Sequence, residues 1–105
     1  MKRGMTIVLA LGLASAAVAA QKQGQPLGER PPQAVYAKTC GYCHGSNVGP
    51  ILLGRSLPPE AIKAIVRSGQ NAMPAFRPTE ITDTELDGVA AWISTSRPSA
   101  KEKGR

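Results

Sequence analysis

Residues 34–50, Ala34-Val35-Tyr36-Ala37-Lys38-Thr39-Cys40-Gly41-Tyr42-Cys43-His44-Gly45-Ser46-Asn47-Val48-Gly49-Pro50, decide the fold. They hold both cysteines and the single histidine of the 105-residue chain. A helix-forming run precedes the C-x-x-C-H pentapeptide, and a loop punctuated by glycine and proline follows it. Two cysteines exclude a scaffold built on several disulfides. A zinc site is excluded too, because it takes three or four protein ligands and the chain offers two Cys, one His and carboxylates.

Outward from this stretch, the chain reads as all-α. A helix starts at Pro31 or Pro32, since proline suits a first helical turn, and runs to about Cys43. Gly45 to Gly54 is loop. Pro58-Pro59-Glu60 opens a second helix, with Glu60 at the favourable end of its dipole. Ile62, Ile65 and Val66 give that helix an apolar stripe, and Gly69 ends it. Asn71 to Thr79 contains two prolines and is irregular. Thr82-Asp83-Thr84-Glu85 is a capping box, followed by Leu86, Val89, Ala90 and Ile93 at helical spacing, which predicts a third helix over 83–94. No strand pattern and no repeat is present.

The N-terminus reads as an address. Lys2 and Arg3 precede an uncharged run, Met5 to Ala20, that ends in small residues, the layout of a cleaved secretory signal over 1–20. The run falls short of the ~20 residues that span a bilayer. Residues 21–33, rich in Gly, Pro and Gln, form a flexible or extended lead, residues 34–96 the domain, and residues 97–105 a basic tail. The expected location is the periplasm. Removal of the signal leaves Met73 as the single methionine of the mature chain.

A domain of roughly 60 residues seldom buries enough apolar surface by itself and needs a staple. The chain has four aromatics, Tyr36, Tyr42, Phe76 and Trp92. C-x-x-C-H is the attachment signature of a c-type haem. Two thiols at this spacing can add to the two vinyl groups on one edge of a porphyrin, and the next residue, His44, then supplies an axial imidazole. Met73, in a non-helical Asn-Ala-Met-Pro-Ala-Phe segment, is the candidate second ligand, with a core-filling methionine as the alternative. Met/His ligation raises a haem's potential and suits electron transfer. Three other readings of the motif compete: a small Cys40–Cys43 disulfide ring, a chance match, and a periplasmic thiol–disulfide oxidoreductase of the thioredoxin-like kind. The last needs its first cysteine at a helix N-terminus after a strand, whereas Cys40 follows a helical run.

Taken together, Tyr36, the C-x-x-C-H, Gly49-Pro50-x-Leu52, Arg55, Met73-Pro74-Ala75-Phe76 and the last helix with Trp92 resemble a class I c-type cytochrome over about 34–96. That resemblance implies a small all-α fold of about three helices and loops around one haem. It implies metal ligands at His44 and Met73, and thioethers at Cys40 and Cys43. It further implies a Pro50 carbonyl that orients His44, a Leu52 that packs on the haem, and Arg55 as a candidate propionate partner, with a solvated arginine as the alternative. Tyr36 and Trp92 would pack where the first and last helices cross. Many members carry glycine eight residues before the first cysteine at this crossing. Here that residue is Pro32, which leaves the crossing open.

The short interval from His44 to Met73, with Val48-Gly49-Pro50, Gly54-Arg55-x-Leu57-Pro58 and Ile62-Lys63-x-Ile65-Val66-Arg67, is similar to the cytochrome subunits of flavocytochromes of the p-cresol methylhydroxylase kind. The resemblance implies a flavoprotein dehydrogenase partner carrying covalent FAD and acting on 4-alkylphenols, and a downstream redox carrier. A freely diffusing carrier is the alternative. The chain alone would not be an enzyme.

The formal charge of +6 does not indicate nucleic-acid binding. Lys2 and Arg3 leave with the signal, so eleven basic residues face seven acidic ones. Within 34–96, Lys38, Arg55, Lys63, Arg67 and Arg77 balance Glu60, Glu80, Asp83, Glu85 and Asp87. The surplus lies in the lead and the tail, which can steer an acidic partner or stay solvated.

Overall fold

The computed structural model describes residues 28–104, so the expected signal and most of the lead lie outside the described residues. Helix α1 spans Pro32–Lys38, α2 spans Pro59–Ser68 and α3 spans Asp83–Ser94. A short 3₁₀ turn, Cys40–Tyr42, follows α1. Among the described residues there is no strand, only isolated backbone bridges.

Each helix begins where its local chemistry dictates. Pro32 and Pro59 occupy the first turns of α1 and α2, where a missing N–H costs nothing. At α3, Thr82 Oγ1 accepts from the Glu85 N–H while the Glu85 carboxylate accepts from the Thr82 N–H, completing the predicted capping box. Ile81, one residue before this cap, and Leu86, four residues after it, are both buried, as in a hydrophobic staple. Gly69 ends α2 at φ 72° and ψ 164°, a region open essentially to glycine alone.

The first helix is shorter than its sequence predicts. It stops at Lys38, because Thr39 leaves helical geometry (φ −130°, ψ −66°) before the chain tightens into the 3₁₀ turn. The cysteine pair therefore sits beyond the C-terminal end of α1.

The crossing of α1 with α3 survives the loss of glycine at position 32. The small residue is on the other helix: a Cβ at Gly88 of α3 would lie 3.3 Å from the Pro32 ring. Tyr36 and Trp92 meet there with ring centroids 5.2 Å apart and planes tilted by 52°, a favourable aromatic geometry.

The lead is pinned where it is described. Arg30 reaches Glu85 through Nε at 3.0 Å and Nη2 at 2.8 Å, and its backbone N–H also donates to Glu85. Glu29 accepts from the Thr82 hydroxyl. The Arg30 guanidinium holds the Glu85 carboxyl down at about 2, well below the usual carboxylate range. Across α2 and α3, Lys63 pairs with Asp87 at 2.7 Å and Arg67 with Asp83 at 2.6 Å.

The core consists of Val35 and Tyr36 from α1, Ile62 and Val66 from α2, Ile81, and Leu86, Val89, Ala90 and Ile93 from α3. Leu52, Leu57, Met73, Phe76 and Trp92 pack around it, half-buried. The core does not close on itself, and the space it faces is the candidate functional site.

Candidate haem-binding site

A cavity of about 680 Å³ opens over this core, with Ile62, Val66, Ile81, Leu86, Val89 and Ile93 among its lining. Its size falls within the range of small-molecule and cofactor sites. Cys40, Cys43, His44, Pro50, Leu52, Arg55 and Met73, all singled out in the sequence, line this one cavity.

Local hydrogen bonds shape the cysteine–histidine segment. The His44 N–H donates to the Cys40 carbonyl at 2.9 Å, and the Gly49 N–H returns to the Cys43 carbonyl at 2.8 Å. This return brings Pro50 back to the histidine ring, where His44 Nδ1 lies 2.7 Å from the Pro50 oxygen. A carbonyl can only accept, so Nδ1 carries a proton, which leaves Nε2 as the nitrogen that can offer a lone pair to a metal. Gly49 makes the approach possible: a Cβ there would sit 3.0 Å from both Nδ1 and Cε1 of His44.

The Met73 segment is held by a separate set of contacts. Gln70 and Met73 exchange two backbone hydrogen bonds of 3.0 and 2.9 Å across a tight turn, with Asn71 at φ 54°. Gly69 packs directly beneath this turn, since a Cβ there would lie 2.9 Å from the Met73 oxygen and 2.8 Å from the Ala75 nitrogen. Beyond it, the Phe76 N–H donates to the Val66 carbonyl, and Arg67 donates to the carbonyls of Phe76 and Ile81. Met73 is thus tied to α2 on both sides of its loop.

Arg55 is exposed and donates to the Ile51 carbonyl at 3.3 Å. It lines the cavity but forms no ion pair among the described residues. Both cysteines are free. Burial pushes the Cys40 thiol up to about 11, the reverse of what a nucleophilic thiolate requires.

The tail is not free. The Lys103 N–H donates to the Gly45 carbonyl at 2.8 Å, the Asn47 N–H donates to the Lys103 carbonyl at 2.9 Å, and the Gly54 N–H donates to Ser96 Oγ at 3.0 Å. Residues 96–104 therefore fold back along the loop that carries Pro50. Sequence reading missed this return, together with the supporting roles of Gly49, Gly69 and Arg67. The one local signal was a single acid, Glu102, in an otherwise basic tail.

Comparison with known proteins decides the family. The model for "Cytochrome C oxidase, cbb3-type, subunit III" matches residues 28–93. The chain is 44% identical over 92 residues to the cytochrome c subunit of 4-cresol dehydrogenase (hydroxylating) from Pseudomonas putida, a match covering 85% of this chain and 78% of that protein. The chain belongs to the cytochrome c family. This cytochrome is also similar in structure to p-cresol methylhydroxylase with substrate bound, at TM-score 0.60 and 44% identity, covering 66% of this chain and 95% of that one. A mutant of OmcF shares the fold at TM-score 0.55 and 20% identity, over 66% of this chain and 98% of its own. Family membership makes haem c the cofactor and electron transfer the role of this cytochrome. Among the described residues, no helix is long and apolar enough to cross a membrane.

Proposed function

We propose that this chain is a monohaem cytochrome c of the periplasm that accepts single electrons from a flavoprotein dehydrogenase to which it is bound, and passes them to a further carrier. Cys40 and Cys43 would hold the haem through two thioethers. His44 and Met73 would be its axial ligands, with Pro50 orienting His44, Leu52 packing on the ring and Arg55 facing a propionate. When bound, the haem supplies a one-electron Fe(II)/Fe(III) couple. The chain's own residues supply the rest: a histidine fixed in its ligating tautomer, a thioether on a tethered loop, and an apolar floor that excludes water.

The observation that carries this reading is the 2.7 Å contact between His44 Nδ1 and the Pro50 oxygen, at the mouth of a cavity that also holds Met73 and the cysteine pair. A thiol–disulfide oxidoreductase loses support, because its attacking cysteine would sit half-buried beyond a helix C-terminus with its thiol pKa pushed up.

The partner follows from the relative named for 4-cresol dehydrogenase. By that likeness the partner carries FAD and oxidises a 4-alkylphenol. Residues 1–20 would direct export and be removed, residues 21–33 would lead into the domain over 34–96, and residues 97–105 would complete it. Co-purification from the native host tests the partnership. A flavoprotein that travels with the cytochrome and bleaches when a 4-alkylphenol is added is expected. A monomer with no stable partner would establish the free-carrier alternative instead.

A further inference from the structure

The carboxylate of Glu102 has no task in the account above, and its surroundings are unusual. The Tyr36 hydroxyl donates to Glu102 Oε1, while Oε2 is buried with no hydrogen-bond partner among the described residues. None of the ion pairs among the described residues includes Glu102. Burial, with the neighbouring Glu102, pushes the Tyr36 phenol upward, so the ring stays a hydrogen-bond donor. Gly45, the residue after His44, admits the acid: a Cβ there would meet Glu102 Cδ and Cγ at 2.8 Å.

Glu102 is half-buried, but enclosing one carboxylate oxygen without a partner is costly, and a purely structural role does not call for it. The segment is already fastened by the backbone bonds of Lys103 to Gly45 and Asn47, and Pro98 and Gly104 lie against Gly54 and Ile51. An amide could accept the Tyr36 hydrogen bond equally well. What the amide lacks is the charge, and a charge partly shielded from solvent acts on its neighbours more strongly than one in bulk water.

We propose that Glu102 is a potential-tuning residue: the folded-back C-terminal segment holds its carboxylate against the loop that carries His44, where the negative charge favours the oxidised form of the haem iron and lowers the reduction potential. The proposal rests on the haem reading of the cavity. Burial and nearby charge are among the means by which a protein sets a haem potential.

The test is spectroelectrochemical titration of the haem-loaded full chain, comparing wild type with Glu102→Gln and Glu102→Asp. Glu102→Gln keeps the Tyr36 hydrogen bond and removes the charge. At an ambient potential fixed at the wild-type midpoint, the ratio of reduced to oxidised Glu102→Gln protein should rise several-fold, while Glu102→Asp should stay near wild type. An unchanged ratio in Glu102→Gln, or equal shifts in both variants, would overturn the proposal. If Glu102→Gln does not retain haem, Glu102→Ala is titrated in its place and should show the same rise. Haem loss from both charge-free variants beside an intact Glu102→Asp would make Glu102 a folding residue and overturn the tuning role. Failure of the haem reading itself is distinguishable, because wild type would then show no haem absorption to titrate.

Discussion

Gly49→Ala places a single methyl group against the His44 ring, and the sign of its effect is diagnostic. The φ of Gly49 is not in the positive region, so alanine suffers no backbone strain there. At such a site the substitution ordinarily stabilises by ~0.4–1 kcal/mol, by reducing the freedom of the unfolded chain. Here the new Cβ would lie 3.0 Å from Nδ1 and from Cε1 of His44. Favourable carbon contacts begin at ~3.5 Å, so ring and loop must separate by about half an ångström. The His44–Pro50 hydrogen bond, at 2.7 Å, has little room to absorb that shift. Overpacking of this kind costs ~1–3 kcal/mol. The net effect should be a loss of about 0.5–2 kcal/mol, or a melting temperature lower by several degrees in a domain of this size. Thermal unfolding followed by circular dichroism on the haem-loaded protein reads it, with Gly28→Ala as control because a Cβ there meets nothing within 4 Å. A Gly49→Ala protein as stable as wild type, or more so, would refute the close approach of loop and histidine.

Other outcomes follow from the same geometry. Met73→Ala should lower the reduction potential by a large margin and abolish the sulfur-to-iron charge-transfer band at the red end of the spectrum, and an unchanged spectrum would remove Met73 from the iron. Gly69→Ala forces a side chain into a conformation open essentially to glycine, at ~1–3 kcal/mol, and pushes on the Met73 carbonyl, so the same band should weaken while helical circular dichroism persists. Glu85 is held at about 2 against its ordinary 4.5, so its pairing with Arg30 stabilises the fold above pH 4.5, and that stability is lost as pH falls from 4.5 toward 2. Arg30 is partly exposed, with 38% of its side-chain surface accessible, so solvent screening reduces the effect to ~1–2 kcal/mol. Acid titration of stability should therefore be shallower in Glu85→Gln than in wild type, and identical slopes would refute the pairing.

What was legible in the sequence was local. Proline at a first turn, the Thr82–Glu85 box, and the spacing of Leu86, Val89, Ala90 and Ile93 each act within a few residues, and α2 and α3 appear where those signals place them. The residues that come together in the candidate cavity were legible for a related reason: Cys40, Cys43 and His44 share one pentapeptide, and Met73 stood alone. What stayed hidden depends on distant partners. Arg30 meets Glu85 across 55 positions and Tyr36 meets Glu102 across 66, and no local pattern announces either. The α1–α3 crossing illustrates the limit. Proline at position 32 looked like a lost contact, because the compensating Gly88 lies on another helix. The early end of α1 at Thr39 also escaped, because apolar periodicity cannot distinguish an α-helix from an α-turn that tightens into 3₁₀. The tail's composition described its charge and not its fold-back, which backbone groups make.

The central claim is that Cys40 and Cys43 bind one haem covalently and His44 ligates its iron. The most direct measurement is made on protein expressed from the full sequence in a host that matures c-type cytochromes: haem staining after denaturing electrophoresis, with the alkaline pyridine spectrum of the same sample. The account predicts haem that stays with the chain through denaturation, one per polypeptide, with the spectrum of a ring saturated at both vinyl positions and no titratable thiol. Haem released by the detergent, or a haem-free chain with two reactive thiols, would contradict it.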